Sequence, residues 1–453
     1  MNAEPKGPKN AREAALRALV RFETDRAYLN LILPDLTAGL SFEDRALAVQ
    51  MASGTIERLN TLDWVINLFS STKINNMTPW LRNLLRIGVY QLLYLDRVPA
   101  YAAVDQSVRL ARRYGHRGVA GLTNAVLRKI DRESGALPWP DSATSPLNYL
   151  ALKYSIPPWL VKRVIDRFGF REAESWCLAA NTKPALAVRP NLLRTDLAGL
   201  SNRLSQEGFN VTESRVVPAM LRLSGAAGPP AVAEAFREGL CTIQGESSAL
   251  VAPMLEPQPG ETVVDLCSAP GGKTTHLAEL MADCGLVYAI EQHSARLGLV
   301  EKAALRLGLS CIKPVVADGR SVAGLDLKQP DALLVDAPCS GLGVIGRLPE
   351  IKWRRREEDL AELQKLQLEL LAAAALLLPQ GGRLIYSVCT TEPEETLQLV
   401  EKFDCKNPGF ARETLAQRLP PALQEGQNTT GAITILPHRH GLDGFFIAGW
   451  RKM

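Results

Sequence analysis

Two cysteines stand where a thiol could do chemistry. Cys339 lies in Asp336-Ala337-Pro338-Cys339-Ser340-Gly341, and Cys389 in Tyr386-Ser387-Val388-Cys389-Thr390-Thr391. Each follows an apolar run and sits in a polar, turn-forming context, so each leaves a buried strand rather than filling its interior. One reaction in particular needs such thiols. C5 of cytosine is too weak a nucleophile to take a methyl group unaided. A thiolate adding to C6 breaks the ring's aromaticity and makes C5 enamine-like. A base then removes the C5 proton and the thiolate leaves. Cysteine suits both addition and departure, because its thiolate is strongly nucleophilic at moderate pKa. An acid at Asp336 is placed to hydrogen-bond the base and support protonation at N3. Spacing does not decide which thiol adds.

A methyl donor needs a site on the same sheet edge. The run Asp265-Leu266-Cys267-Ser268-Ala269-Pro270-Gly271-Gly272-Lys273-Thr274-Thr275 puts two glycines directly after an apolar strand, which allows a tight turn and close approach to a helix N-terminus. A phosphate-binding P-loop would need glycine at position 267, which is Cys, and this turn carries no G-x-G-x-x-G. A glycine turn with neither phosphate pattern fits a cofactor without phosphates, S-adenosylmethionine. Three acids follow three strands: Glu291 suits the ribose hydroxyls, Asp318 the adenine amine, and Asp336 the reaction centre. One acid after a strand is ordinarily a helix cap, whereas three in succession beyond a glycine turn favour a shared ligand.

The elements that must position these residues alternate. Apolar strands are expected at Thr262–Leu266, Leu286–Ile290, Ile312–Val316, Ala332–Val335 and Arg383–Ser387, separated by helical segments, the pattern of a mostly parallel doubly wound sheet. Ahead of it, Pro158–Phe168 and Leu197–Gln206 read as helices, and Ala185–Arg189 and Met220–Leu223 as strands, a small α/β subdomain. From Ala11 to about Arg132 the apolar residues recur at helical spacing, giving an all-α front. The Pro- and Ser-rich stretch 133–146 reads as a linker. The expected division is 1–140, 141–240 and 241–453.

Composition supports this reading. With 46% hydrophobic and 22% charged residues the chain is globular, and 453 residues exceed one ordinary core. The N-terminus shows no signal peptide, the apolar stretch Leu370–Leu378 is too short for a bilayer, and eight sparse cysteines without zinc spacing are expected as free thiols in a reducing cytoplasm. Residues 1–140 hold 19 Lys/Arg against 13 Asp/Glu, and the remainder 33 against 35. A basic front suggests a polyanion partner. Arg109, Arg112, Arg113 and Arg117 lie in the stretch Val104–Ile130, whose only acid is Asp105. Lys352, Trp353 and Arg354, in Ile351-Lys352-Trp353-Arg354-Arg355-Arg356, could grip phosphates and stack a base. A solvated basic surface is the plainer reading of either run.

Asp265–Thr274, Asp336–Gly341 and Ser387–Thr390 resemble motifs I, IV and VI of the RNA cytosine-5 methyltransferases, the Fmu/Sun/NOL family. Gln244–Ser248, Lys352-Trp353 and the closing His440–Phe446 extend the likeness. The helical front, with Tyr101–Asp105 and Asn124–Arg128, is similar to the antitermination factor NusB. The resemblance implies a multidomain chain: an all-α NusB-like RNA-binding front, a small RRM-like α/β subdomain, and a Rossmann-like methyltransferase. It implies Cys389 as nucleophile, Cys339 in product release, and S-adenosylmethionine held by Cys267, Ser268, Ala269, Pro270, Gly271, Gly272 and Lys273 with Glu291, Asp318 and Asp336. Ser268 and Glu291 depart from the family's commoner Ala and Asp, which removes no needed group. The implied substrate is one cytosine of 16S rRNA, naked or early in small-subunit assembly, met by a monomer without metal or membrane. A tRNA or DNA methyltransferase, or a non-catalytic RNA-binding factor, remain the alternatives.

Overall fold

The computed structural model describes residues 7–225, 233–424 and 431–453; residues 1–6 of the N-terminal segment lie outside them. The chain forms two compact units. One runs to Asn181 and includes Lys352–Arg354; the other comprises Thr182–Ile351 and Arg355–Met453.

The first unit is helical throughout: α1 (Ala11–Thr24), α2 (Leu29–Thr37), α3 (Phe42–Glu57), α4 (Leu59–Phe69), α5 (Pro79–Tyr94), α6 (Ala100–Tyr114), α7 (Arg117–Glu133), α8 (Pro146–Lys153), α9 (Pro158–Phe168) and α10 (Phe170–Ala180). Helix starts carry their caps: Asn10 accepts from the Glu13 amide, Ser41 from Asp44 and Thr78 from Leu81. Leu16, Leu19, Leu84, Leu85, Val89 and Leu127 meet in one core. The Glu13 carboxylate is buried there but kept charged by Arg17 at 3.0 Å, Arg113 at 2.8 Å and the Tyr114 hydroxyl. The unit extends past the expected boundary at 140, because α4 bonds to the segment after the Pro-rich stretch. The Asn60 amide donates to Ser155 Oγ at 2.9 Å, and Thr61 Oγ1 donates to the Leu152 carbonyl at 2.5 Å.

The second unit holds two sheets. Strands β1 (Leu186–Pro190), β2 (Asn210–Glu213), β3 (Leu221–Ser224) and β4 (Cys241–Ile243) form an antiparallel sheet in the order β2-β3-β1-β4, with α11 (Leu197–Gln206) packed on it through Leu200 and Leu204. The larger sheet comprises β5 (Thr262–Leu266), β6 (Leu286–Glu291), β7 (Ile312–Val316), β8 (Ala332–Asp336), β9 (Arg383–Val388), β10 (Phe410–Arg412), β11 (Ile433–Ile435) and β12 (Phe445–Lys452). Its order is β10-β12-β9-β8-β5-β6-β7, with β11 beside β12. The five strands from β9 to β7 are parallel; β12 pairs antiparallel with β9, and β10 and β11 each pair antiparallel with β12. Near-continuous burial of β5, β8 and β9 explains their apolar runs, since helices cover both faces. From β5 the chain proceeds outward through β6 and β7, then returns to β8 on the other side. This reversal opens a crevice at the carboxyl ends of the strands.

Candidate active site

The glycine turn is shaped by its backbone. After β5, Cys267 takes φ 62° and Gly271 φ 106°, and α12 (Gly272–Leu280) begins at once. The left-handed conformation costs a residue such as Cys267 about 1 kcal/mol, a strain typical of functional turns. At Gly271 a Cβ would lie 3.1 Å from Val300 Cα as well as at an unfavourable φ, so both space and conformation demand glycine. Thr274 Oγ1 donates to Asp265 Oδ2 at 2.6 Å. Among the described residues Asp265 Oδ1 and Ser268 Oγ are buried without a protein partner, and burial pushes the Asp265 carboxyl up to about 7.

Beyond the turn opens a cavity of about 730 Å³, lined by Cys267, Glu291 and Asp318 with Pro338, Arg355 and Leu366. That is the size of a site for one cofactor-sized molecule. Glu291 ends β6 almost fully buried, its Oε1 accepting from the His293 amide at 3.0 Å and its Oε2 facing Arg296 at 3.2 Å. Asp318 follows β7 and caps the next turn, and hydrogen bonds from Arg320 hold its carboxyl below the usual range. Burial pushes the Cys267 thiol up to about 12, so it lines the cavity as a neutral group. A cofactor with ribose hydroxyls, an amino-purine and a charged amino-acid tail fits this wall of acids. The unpartnered oxygens belong to Asp265, near the end of β5, and Ser268, on the turn that follows.

Asp336 lies outside the cavity lining. Lys273, from the first turn of α12, reaches its Oδ2 at 2.7 Å, and Ser387 Oγ donates to its Oδ1 at 2.7 Å. Parallel pairing sets Asp336 opposite Ser387, so the loops that follow β8 and β9 leave side by side. Their thiols meet: Cys339 Sγ lies 3.4 Å from Cys389 Sγ. Sharing a proton with Cys339 holds Cys389 below the ordinary thiol range and pushes Cys339 well above it.

A lattice of groups that no motif pointed to fixes this spacing. Ser340 Oγ donates to Thr390 Oγ1 at 2.9 Å, joining the two loops. The Ser340 amide donates to buried Glu395 at 2.8 Å, and Gln367 donates to the Pro338 carbonyl at 2.9 Å. Arg355 donates to the Cys339 and Ser340 carbonyls at 3.0 and 2.9 Å. Behind Cys389 its carbonyl accepts from Gly343, where a Cβ would come within 2.1 Å of the Gly444 carbonyl. Gln367 lies in mid-helix, 28 residues from Glu395. No spacing rule could have paired them.

Comparison with known proteins joins this geometry to a lineage. The family described as 16S rRNA methyltransferase RsmB/F matches residues 252–451, the NusB family matches 9–132, and a ferredoxin-like domain of RsmF/B-like methyltransferases matches 156–228. A probable ribosomal RNA small subunit methyltransferase B from Bacillus subtilis (strain 168) is 37% identical, covering 98% of this chain and 99% of its own. The ribosomal RNA small subunit methyltransferase B of Citrobacter koseri is 34% identical over 97% of this chain and 98% of its own. The chain belongs to the RsmB/F methyltransferase family. Among solved structures, PH0851 is 30% identical, with a TM-score of 0.82 over 99% of this chain and all of its own. A methyltransferase homologue protein from Pyrococcus horikoshii is 28% identical, with a TM-score of 0.58 over 68% of this chain and 99% of its own. As an RsmB/F member the chain is an S-adenosylmethionine-dependent rRNA methyltransferase with a NusB-like helical domain, a ferredoxin-like subdomain and a Rossmann-like catalytic domain.

The cationic residues expected to meet RNA fall into two groups. On α6 and α7, Arg112 and Arg117 are exposed and, among the described residues, pair with no acid. Arg109 pairs with Asp105 at 2.9 Å, and Arg113 is drawn onto buried Glu13. The run Lys352-Trp353-Arg354 corrects the expectation of an RNA grip. Lys352 is fully buried, its Nζ donating to the Glu57 carbonyl at 3.0 Å and to Asn181 at 3.3 Å. Trp353 Nε1 donates to the Ile56 carbonyl at 2.7 Å, and Arg354 donates to the Ala27 carbonyl at 2.6 Å while stacking on Tyr28. These side chains are the structural tie that seats residues 352–354 in the helical unit, each donating to at least one backbone carbonyl there. Among the described residues no helix is long and apolar enough to cross a membrane.

Proposed function

We propose that this RsmB/F member methylates C5 of one cytosine in 16S rRNA through a covalent adduct between Cys389 Sγ and C6. The observation that carries this reading is the 3.4 Å thiol pair beside the Asp336–Lys273 ion pair, at the strand edge that also holds the acid-lined cavity. Cys267, Glu291 and Asp318, with Asp265 at the end of β5 and Ser268 on the turn, would hold S-adenosylmethionine, which would supply an electrophilic methyl group. Every other task falls to the chain. Cys389, the more acidic thiol, adds to C6. Asp336, oriented from both sides by Lys273 and Ser387, hydrogen-bonds the base and supports protonation at N3 as charge develops. Once C5 carries the methyl group, Cys339 is near enough to Cys389 to assist loss of the C5 proton while the Cys389–C6 bond breaks. A cytosine stacked in a duplex cannot reach a thiol, so the target is looped out or flipped. Arg112 and Arg117 are available to meet rRNA phosphates on the helical unit, with Arg109 beside them paired to Asp105.

Transfer of a tritiated methyl group to unmodified 16S rRNA, with tRNA and DNA as controls, tests the assignment. Label on one rRNA cytosine supports it; label on tRNA alone reassigns the substrate, and no label on any acceptor removes the enzymatic reading.

A further inference from the structure

The thiol pair has a coordination chemistry of its own. The sulfur separation of 3.4 Å is well beyond a disulfide's bond of about 2.05 Å, so the pair stands reduced and open. It is also narrower than the roughly 3.8 Å that a tetrahedral zinc, about 2.3 Å from each thiolate, would impose. Zinc further asks for three or four protein ligands, and among the described residues no group of three or more His, Cys, Asp or Glu could hold a metal ion. Among the described residues the site therefore offers two soft donors at close spacing and no third ligand grouped with them for a metal. Trivalent arsenic bearing one organic substituent needs that set: it is pyramidal, its bond angles are near a right angle, and its third bond is already to carbon.

We propose that Cys339 and Cys389 together form a dithiol trap for organic trivalent arsenicals, closing a chelate that takes both thiols out of use. In the closing step two As–S bonds form, the arsenic–oxygen bonding of the arsenical is lost, and the two thiol protons leave with that oxygen as water. Arsenic stays trivalent, so neither oxidant nor reductant is required. Neither sulfur has to travel far, because the Ser340–Thr390 hydrogen bond and the Glu395 contact to the Ser340 amide already hold the loops in register. The lowered pKa of Cys389 supplies the first thiolate, and its neighbour follows intramolecularly. Of the other six cysteines, Cys177, Cys241 and Cys311 are buried, Cys284 and Cys405 are exposed, and Cys267 is half-buried in the cavity wall. The trap depends on sulfur spacing alone, so it holds whichever thiol attacks the base.

The test uses the full-length chain, reduced with a phosphine, mixed with phenylarsine oxide and challenged with excess 2-mercaptoethanol before intact-mass measurement. Wild type is expected to retain one phenylarsenic group and to release it only to a dithiol. Cys339→Ser and Cys389→Ser each bind the probe about 100-fold or more weakly, since each loses the intramolecular second bond. A Cys284→Ser/Cys405→Ser variant behaves as wild type. A peptide map of treated wild type places the arsenic across the peptides holding positions 339 and 389, which keeps the test decisive if a serine variant fails to fold. Retention equal in wild type and both single variants, or arsenic mapped to other cysteines, overturns the proposal. Neither result depends on methyl transfer, so this trap and the proposed reaction fail separately.

Discussion

Lys273 Nζ stands 2.7 Å from Asp336 Oδ2, so one ion pair links the glycine turn after β5 to the end of β8. With Ser387 on the other oxygen, Asp336 is oriented from both sides, and it is not among the residues that line the cavity. We propose that this acid, expected to serve both cofactor and substrate, acts on the substrate. Asp336→Asn is expected to lower single-turnover methyl transfer about 100-fold, within the usual range for a positioned acid–base group, while S-adenosylmethionine affinity measured by calorimetry stays near wild type. An affinity that falls in parallel with the rate would return Asp336 to the cofactor site.

The thiols are expected to separate by stage of reaction. Cys389→Ala abolishes methyl transfer and leaves no adduct. Cys339→Ala permits addition and slows release, so a protein–RNA band accumulates on a denaturing gel. An adduct in Cys389→Ala instead would reverse the two roles.

Arg112→Ala/Arg117→Ala is expected to weaken rRNA binding across sequences and to flatten the plot of log affinity against log salt by about two units, one per phosphate contact. The transfer rate at saturating RNA should hold. Arg113→Ala differs, because it strips a partner from buried Glu13, and its effect should appear as a lowered unfolding midpoint. A salt slope unchanged in the double variant would remove these two arginines from the interface.

Lys352 yields a pH prediction. Burial lowers its pKa from 10.5 to about 7, so between pH 7 and pH 10.5 the unfolded chain binds the proton that the folded chain has released. Stability contributed by this position therefore rises with pH through that window and is flat below it. Relative to Lys352→Met, wild type should gain about 1.4 kcal/mol per pH unit between pH 7.5 and pH 9.5, read from urea unfolding of the helical unit. A difference that does not vary with pH would show that Lys352 stays charged when buried.

Much of the catalytic domain was legible because its signals are local. An apolar run bounded by turn residues reads as a buried parallel strand whatever it packs against. All five such strands appear within a residue of their expected ends, from Thr262–Leu266 to Arg383–Val388. The turn after β5 was equally legible, since two glycines and the absence of either phosphate pattern are properties of a short string. Strands β10, β11 and β12 carried less signal: they add to the sheet edge by antiparallel pairing with distant partners, as Phe446 does with Val388.

Residue type and order alone determined that two thiols, three acids and a glycine turn would gather at one sheet edge. Strand order in a parallel sheet places every such loop on the same side. Tertiary structure decided what those groups do to one another. The 3.4 Å sulfur contact depends on the Asp336–Ser387 register and on Gln367, Glu395 and Arg355, brought from three separate segments. It also decided the fate of Lys352, whose charge reads as an RNA contact in the string. Whether a lysine meets phosphate or a buried carbonyl is set by what packs around it, and that packing comes from the end of one helix, α3, about 300 residues away at Ile56 and Glu57.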